Sequence, residues 1–120
     1  MDKWQALQSF WSRFGKTYDE STVEDNPTFP YITYEAAGDS IGSQTILRAS
    51  VWDRSRSWKT VTDITEEISK TITMGGITIP FESGIIWIKR STPFAQRLTD
   101  EDDSIRRINI NVEVEFISAD

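Results

Sequence analysis

Cysteine and histidine are both absent from the 120 residues of this sequence. Without cysteine there can be no disulfide framework, thiolate metal site, iron–sulfur cluster or cysteine nucleophile. Without histidine the usual general base near neutral pH and the commonest zinc ligand are gone, so ordinary serine and cysteine triads cannot be assembled. Long apolar runs are missing too: none approaches the roughly 18 to 20 residues of a membrane span. The opening Met1, Asp2, Lys3 and Trp4 lack the basic stretch and following apolar segment of an export signal, so a cytosolic product is expected. No glycine pattern of the phosphate-cradling kind occurs. Positive charge is scarce, with 13 basic against 19 acidic residues and a net charge of −6, which argues against a surface that holds nucleic acid by releasing phosphate counterions. Together these absences lead to the expectation of a protein that is not an enzyme and uses no cofactor and no metal.

What is present suits one domain. A 13.8 kDa chain should bury roughly two-thirds of its unfolded surface, enough to fold without a staple. Trp4, Leu7, Trp11 and Phe14 recur at spacings of three and four, which predicts a helix over residues 3–14, with Asp2 as N-cap and Gly15 closing it. Residues 16–28 lack periodicity and read as a loop or a ragged edge strand. Residues 30–36 and 44–52 are β-rich and flank a turn built on Gly38, Asp39, Ser40 and Gly42, so they read as an antiparallel pair.

The clearest helix is predicted over 58–73, capped by Ser55 or Ser57, with Trp58, Val61, Ile64, Ile68 and Ile72 on one face and Gly75 and Gly76 stopping it. Residues 77–81 can only be an edge strand, because Pro80 cannot donate a ladder hydrogen bond. Ile85, Ile86, Trp87 and Ile88 form a run apolar enough for burial on both faces of a central strand. Residues 91–104 read as a long mobile loop. The last segment alternates cleanly from Ile108 to Phe116, and at about 3.3 Å per residue the strand 105–117 would span roughly 43 Å, long enough to overhang its own domain and pair with a neighbour. The fold class expected is α+β, a two-layer sandwich with both helices on one face of a mainly antiparallel sheet of four to five strands.

Two charged features are candidates for function. The first is the acidic run Asp100, Glu101, Asp102 and Asp103 beside Arg97. Carboxylates suit magnesium or calcium, but four consecutive acids lack the alternating ligand spacing and the glycine of a calcium loop, so a solvated loop is the better reading. The second is Arg48, Arg54, Arg56 and Lys59 with Trp52, a combination that imitates a single-strand nucleic-acid platform while fitting an acidic protein neighbour equally well. Of the five tryptophans, Trp4, Trp11, Trp58 and Trp87 fall at core-type positions, and Trp52 is expected to be partly exposed.

The run Phe29, Pro30, Tyr31, Ile32, Thr33, Tyr34, Glu35, then a glycine turn, a strand ending Val51, Trp52, Asp53 and the helix from Trp58 resembles the tail terminator, or tail completion, proteins of long-tailed siphophages. The resemblance implies a homo-oligomer, monomeric when isolated and a hexameric ring on assembly. Such a ring would meet the tail tube protein on one side and the head connector or completion protein on the other. It also implies residence in the virion tail after assembly in the host cytoplasm, DNA passing through without specific binding, and an acidic loop facing that passage. Trp52, Arg54, Arg56, Arg97, Asp100, Glu101, Asp102 and Asp103 are then the candidate interaction residues. A head completion or neck protein, an acidic DNA mimic that inhibits a host nuclease or repressor, and a metal-dependent hydrolase are the alternatives.

Overall fold

A computed structural model describes residues 1–36 and 44–118; the expected turn at Gly38, Asp39, Ser40 and Gly42 lies outside the described residues. The order is α1 (Lys3–Ser12), β1 (Thr17–Asp19), a 3₁₀ turn (Glu20–Thr22), β2 (Tyr31–Tyr34), β3 (Gln44–Arg54), α2 (Lys59–Ile72), β4 (Ile77–Phe81), β5 (Gly84–Leu98) and β6 (Ile105–Ser118). The class is α+β, but the sheet has six strands in the order β1-β2-β3-β6-β5-β4, not four to five. It is also mixed, because β1 runs parallel to β2 whereas every other neighbouring pair is antiparallel. The additional strand is the expected ragged edge: the chain returns from β1 to β2 through the 3₁₀ turn, which the Asp19 side chain caps, and a long connection of this kind is what a parallel neighbour requires.

Both helices cover one face of the sheet. Along β3 and β6 the alternation places Leu47, Ala49 and Val51 opposite Val112, Ile110 and Ile108, all on the helix side. α2 rests on β3, β5 and β6, burying Val61, Thr65, Ile68 and Ile72. α1 is placed differently, touching β1 at one edge of the sheet and β4 at the other. In a flat sheet those edges would stand about 24 Å apart, at about 4.8 Å per strand gap, whereas a ten-residue helix is only about 15 Å long. The sheet is therefore curled, and α1 fills the mouth with Ala6, Leu7, Phe10 and Trp11 buried.

Local signals explain the ends of the helices. Asp2 and Gln5 form a reciprocal capping box at the start of α1, and Gly15 takes a φ of 141° after its last turn. At α2 the Ser57 hydroxyl accepts from the Lys59 N–H at 3.1 Å although Trp58 occupies the cap position. The chain leaves α2 through Thr73 and through Gly76, whose φ is 88° and where a Cβ would lie 2.7 Å from the Ile88 carbonyl oxygen.

Three expectations about β5 and β6 also need correction. Residues 91–98 are not loop: β5 continues to Leu98, leaving a connection of residues 99–104. The signal was masked by a bulge, in which five steps along β5 from Arg90 to Ala95 match two along β6, and the Asn111 side-chain amide donates to the Pro93 carbonyl at 3.0 Å. β6 does not overhang, since β3 pairs with it from Ile105 to Glu115 and β5 from Arg107 to Ser118. The β5 run is not buried on both faces either: Ile86 and Ile88 are buried, but among the described residues no helix covers the outer face, where Trp87 and Ile85 stay partly exposed.

The tryptophans divide in the same way. Of the four expected in the core only Trp11 is there. Trp4 is 38% exposed, edge-on to Phe116, with the Lys3 ammonium over its ring. Trp58 and Trp87 are half-buried, and Trp87 donates its indole N–H to the Gly75 carbonyl at 3.1 Å. Trp52 is partly exposed, as its place at a strand end suggests.

Candidate functional site

The end of the sheet where β3 and β5 finish and β6 begins gathers the candidate residues. Register places Trp52 opposite Arg107, Asp53 opposite Arg106, Arg54 opposite Ile105, and Leu98 opposite Arg107 on the other side. The connection 99–104 turns over this end, and the Ser55 N–H donates to the Ser104 carbonyl at 2.7 Å. The basic cluster and the acidic run, 47 and 48 residues apart in sequence, thus become neighbours.

They neutralise one another. The Arg54 guanidinium lies 3.4 Å from the Asp102 carboxylate and donates to the Ser104 hydroxyl at 3.0 Å. Arg56 pairs with Asp103 at 3.0 Å. The other two members of the basic cluster are occupied locally, Arg48 by Glu35 at 3.4 Å and Lys59 by Asp63 at 2.9 Å. Each of the four cations expected to make a nucleic-acid platform therefore has its own carboxylate. Asp100 accepts from the Asp102 N–H at 2.9 Å, which tightens the turn, and Glu101 projects into solvent. Among the described residues no three acidic side chains converge on a metal-holding group, and no helix is long and apolar enough to cross a membrane.

The Asp102 carboxylate accepts from the Ser104 hydroxyl at 2.7 Å and from the Ser104 N–H at 2.9 Å; these bonds, with Arg54 beside them, hold its pKa below the ordinary 3.8. A depressed carboxyl pKa gives stability that is present above the unfolded value and lost as pH falls through the folded one. Asp102→Asn is accordingly expected to melt below wild type at neutral pH, with the gap closing in acid below the Asp102 pKa. Thermal melts across pH check this, and a gap that persists in acid would sink it.

Three arginines at this end have no carboxylate in ion-pair reach among the described residues: Arg97, Arg106 and Arg107. All three stack on tryptophan. Arg97 and Arg106 lie 4.6 and 5.3 Å from the Trp58 ring centroid, and Arg107 lies 4.4 Å from that of Trp52. Arg106 also donates to the backbone carbonyls of Asp103 and Arg56, each at 2.9 Å, tying the connection 99–104 to the segment between β3 and α2. Asp53, 9% exposed, is buried on the same side of the sheet.

A groove of about 540 Å³ opens beside this end on the outer face. Tyr31, Ser50, Trp52 and Asn109 line it, with Val23 and Leu98. Tyr31 and Trp52 stack at 6.0 Å and 14°, and the Trp52 indole N–H donates to the Thr33 hydroxyl at 3.0 Å. Burial, then the negative field of Asp100, push the Tyr31 phenol pKa up, so this ring stays neutral.

No protein-family model matches this sequence, and comparison with curated proteins gives no match. Among solved structures, a chain in one described as the virion of a native gene transfer agent (GTA) particle has a similar architecture. The TM-score is 0.52 and the identity 18%, over 82% of this chain and 75% of that one. The likeness is one of fold.

Of the candidates from sequence, Arg54, Arg56, Asp102 and Asp103 are joined in ion pairs, Trp52 lines the groove, and Arg97 belongs to the Trp58 stack. Sequence reasoning missed Arg106, Arg107 and Tyr31. Arg106 had a visible signal, a charge at a core-side position just ahead of the alternation from Ile108. Arg107 had none, because a charge on the polar side of an amphipathic strand is ordinary.

Proposed function

We propose that this chain is a structural virion protein that caps a phage tail tube, ends its polymerisation and joins the tail to the head connector. The observation that carries the reading is the shared fold with a chain of a virion particle. The strand Tyr31–Tyr34 that follows Pro30 and the Trp52, Asp53 step toward α2, the elements of the siphophage resemblance, support it. In this reading the protein acts without catalysis or cofactor. It is made in the host cytoplasm, is monomeric until assembly, closes into a hexameric ring in the virion tail, and lets DNA pass without specific binding. The excess of acidic over basic residues suits such a passage. The mutual pairing of Arg54 and Arg56 with Asp102 and Asp103 speaks against a DNA mimic, which needs its carboxylates free.

The test is tail-tube length. Tubes polymerised with this protein are expected to stop growing and to carry a cap visible by electron microscopy, and particles assembled without it should have tails of uncontrolled length. Attachment to heads with no effect on tubes would replace the terminator by a neck protein, and attachment to neither would end the assembly reading.

A further inference from the structure

The segments 53–63 and 97–107 meet at the end of the sheet where β3 and β5 finish. They hold six of the 13 basic residues and six of the 19 acidic ones, so the whole net charge of −6 lies on the rest of the chain. Four of those acids are the run Asp100 to Asp103. Without the run, Arg54, Arg56, Lys59, Arg97, Arg106 and Arg107 would face only Asp53 and Asp63. This end is basic, and one connection makes it neutral.

The ion pairs that cancel the charge are poor fasteners. Arg54 and Asp102 are 56% and 52% exposed and Arg56 and Asp103 are 78% and 79% exposed, and pairs so open to water add little to stability. Backbone bonds place the connection instead, through the Ser55 N–H on the Ser104 carbonyl and the Arg106 guanidinium on the Asp103 carbonyl. What the carboxylates change is the field that an approaching anion meets. The groups left around them select that anion. Trp52 lies between Tyr31 and Arg107, and Trp58 packs on the core and carries Arg97 and Arg106, so neither indole offers a bare face to stack an unpaired base. A protein partner wants an apolar centre to its contact, and the rings that could supply one lie under guanidinium groups. A set of arginine forks without base-stacking rings suits the phosphate backbone of duplex DNA. We propose that the connection 99–104 is an autoinhibitory shield: its carboxylates occupy a site for duplex-DNA phosphates built around Arg54 and Arg56, so that DNA meeting this end of the protein is not held. The use of such a shield rests on the DNA-passage reading above, whereas its test needs only the isolated chain.

That test is fluorescence anisotropy of a short mixed-sequence DNA duplex titrated with the full chain at low salt. Wild type is expected to show no measurable binding. Asp100→Asn, Glu101→Gln, Asp102→Asn and Asp103→Asn together keep the side-chain oxygens that accept from the Asp102 and Ser104 N–H groups, so the turn is retained. This fourfold variant should gain affinity at least about tenfold, and its log affinity should fall by roughly two for each tenfold rise in salt, as expected for two phosphates neutralised. Glu101→Gln with Asp103→Asn leaves both turn-forming carboxylates in place and should gain less; it keeps the question open to measurement if the fourfold variant folds poorly. Adding Arg54→Ala and Arg56→Ala to the fourfold variant should return it to the wild-type level. Lys3→Ala and Lys70→Ala make the same change in net charge, beside Phe116 and in the last turn of α2, and should not. Either folded neutralised protein binding no better than wild type would overturn the proposal. So would a gain that survives the loss of Arg54 and Arg56 or vanishes equally with Lys3 and Lys70, and so would tighter binding of oligothymidine or polyglutamate than of the duplex. The tube assay separates the two readings: a neutralised variant that caps tubes but binds no duplex refutes the shield and leaves the terminator, whereas a gain of duplex binding in a protein that never caps tubes does the reverse.

Discussion

Replacing Trp11 by alanine should cost roughly 3–5 kcal/mol, among the largest losses available from a single truncation in this chain. Trp11 is 2% exposed and sits where α1 meets the β1 and β2 edge. It contacts Phe10 edge-on at 5.0 Å and stacks on Tyr34 at 6.5 Å and 21°. The Tyr34 hydroxyl donates to the Gln8 side-chain oxygen at 2.6 Å, and the Gln8 amide donates to the Thr17 carbonyl at 3.1 Å. One indole thus supports a chain of contacts from the helix to both short strands. A cavity there would loosen that edge as well as remove apolar burial, because interiors collapse only partly around a deletion. Trp4→Ala is the control. Sequence periodicity puts the two residues on one helical stripe, yet Trp4 is 38% exposed, and its loss should cost no more than about 1 kcal/mol. Urea titration of both variants decides the matter, and equal costs would mean that α1 does not sit in the mouth of a curled sheet.

That pair of tryptophans also marks how far the sequence could be read. The apolar period gives the existence of α1 but not the point where its stripe runs off the sheet, since that depends on a curl that two distant edges impose on one short helix. α2 was legible nearly to the residue, 58–73 expected and Lys59–Ile72 found, because a 3.6-residue period and two glycines act locally. β6 was legible for the same reason, its alternation being a property of consecutive residues. Its pairing was not. Whether a long strand overhangs depends on the length of its neighbours, and the neighbour on one side, β5, is interrupted by Ser91, Thr92 and Pro93, which in isolation are loop chemistry. Only Asn111 across the ladder, holding the Pro93 carbonyl, shows why the strand resumes. The candidate site has the same character. Its acidic and basic runs were each visible, and their cancellation was not, because it requires the connection 99–104 to fold back over the end of β3. Of the three arginines without a carboxylate there among the described residues, Arg107 on Trp52 sits at an unremarkable position in the pattern, and only the strand opposite shows what it touches.

Gly84→Ala should be nearly as damaging as the loss of Trp11, for the opposite reason. Gly84 opens β5 at the β4–β5 turn, paired with Phe81 on one side and Ser118 on the other. A methyl group built there would lie 2.0 Å from the Ile117 carbonyl oxygen, 2.9 Å from its carbon and 3.0 Å from the Ser118 Cα. All three are backbone atoms, so no side chain can rotate away. Relief requires β5 and β6 to part at this end, and the pairing of Ile85 with Ile117 would have to yield with it. Overpacking commonly costs 1–3 kcal/mol, and with backbone on the receiving side a loss of roughly 3 kcal/mol is expected. At about 4 °C per kcal/mol for a chain of this size, that lowers the melting temperature by roughly 12 °C. Gly75→Ala is the comparison, since a methyl group there has nothing within 4 Å. A drop shared equally by both variants would point to glycine's general conformational freedom, and a Gly84→Ala protein as stable as wild type would mean that the β5–β6 ladder does not close at this residue.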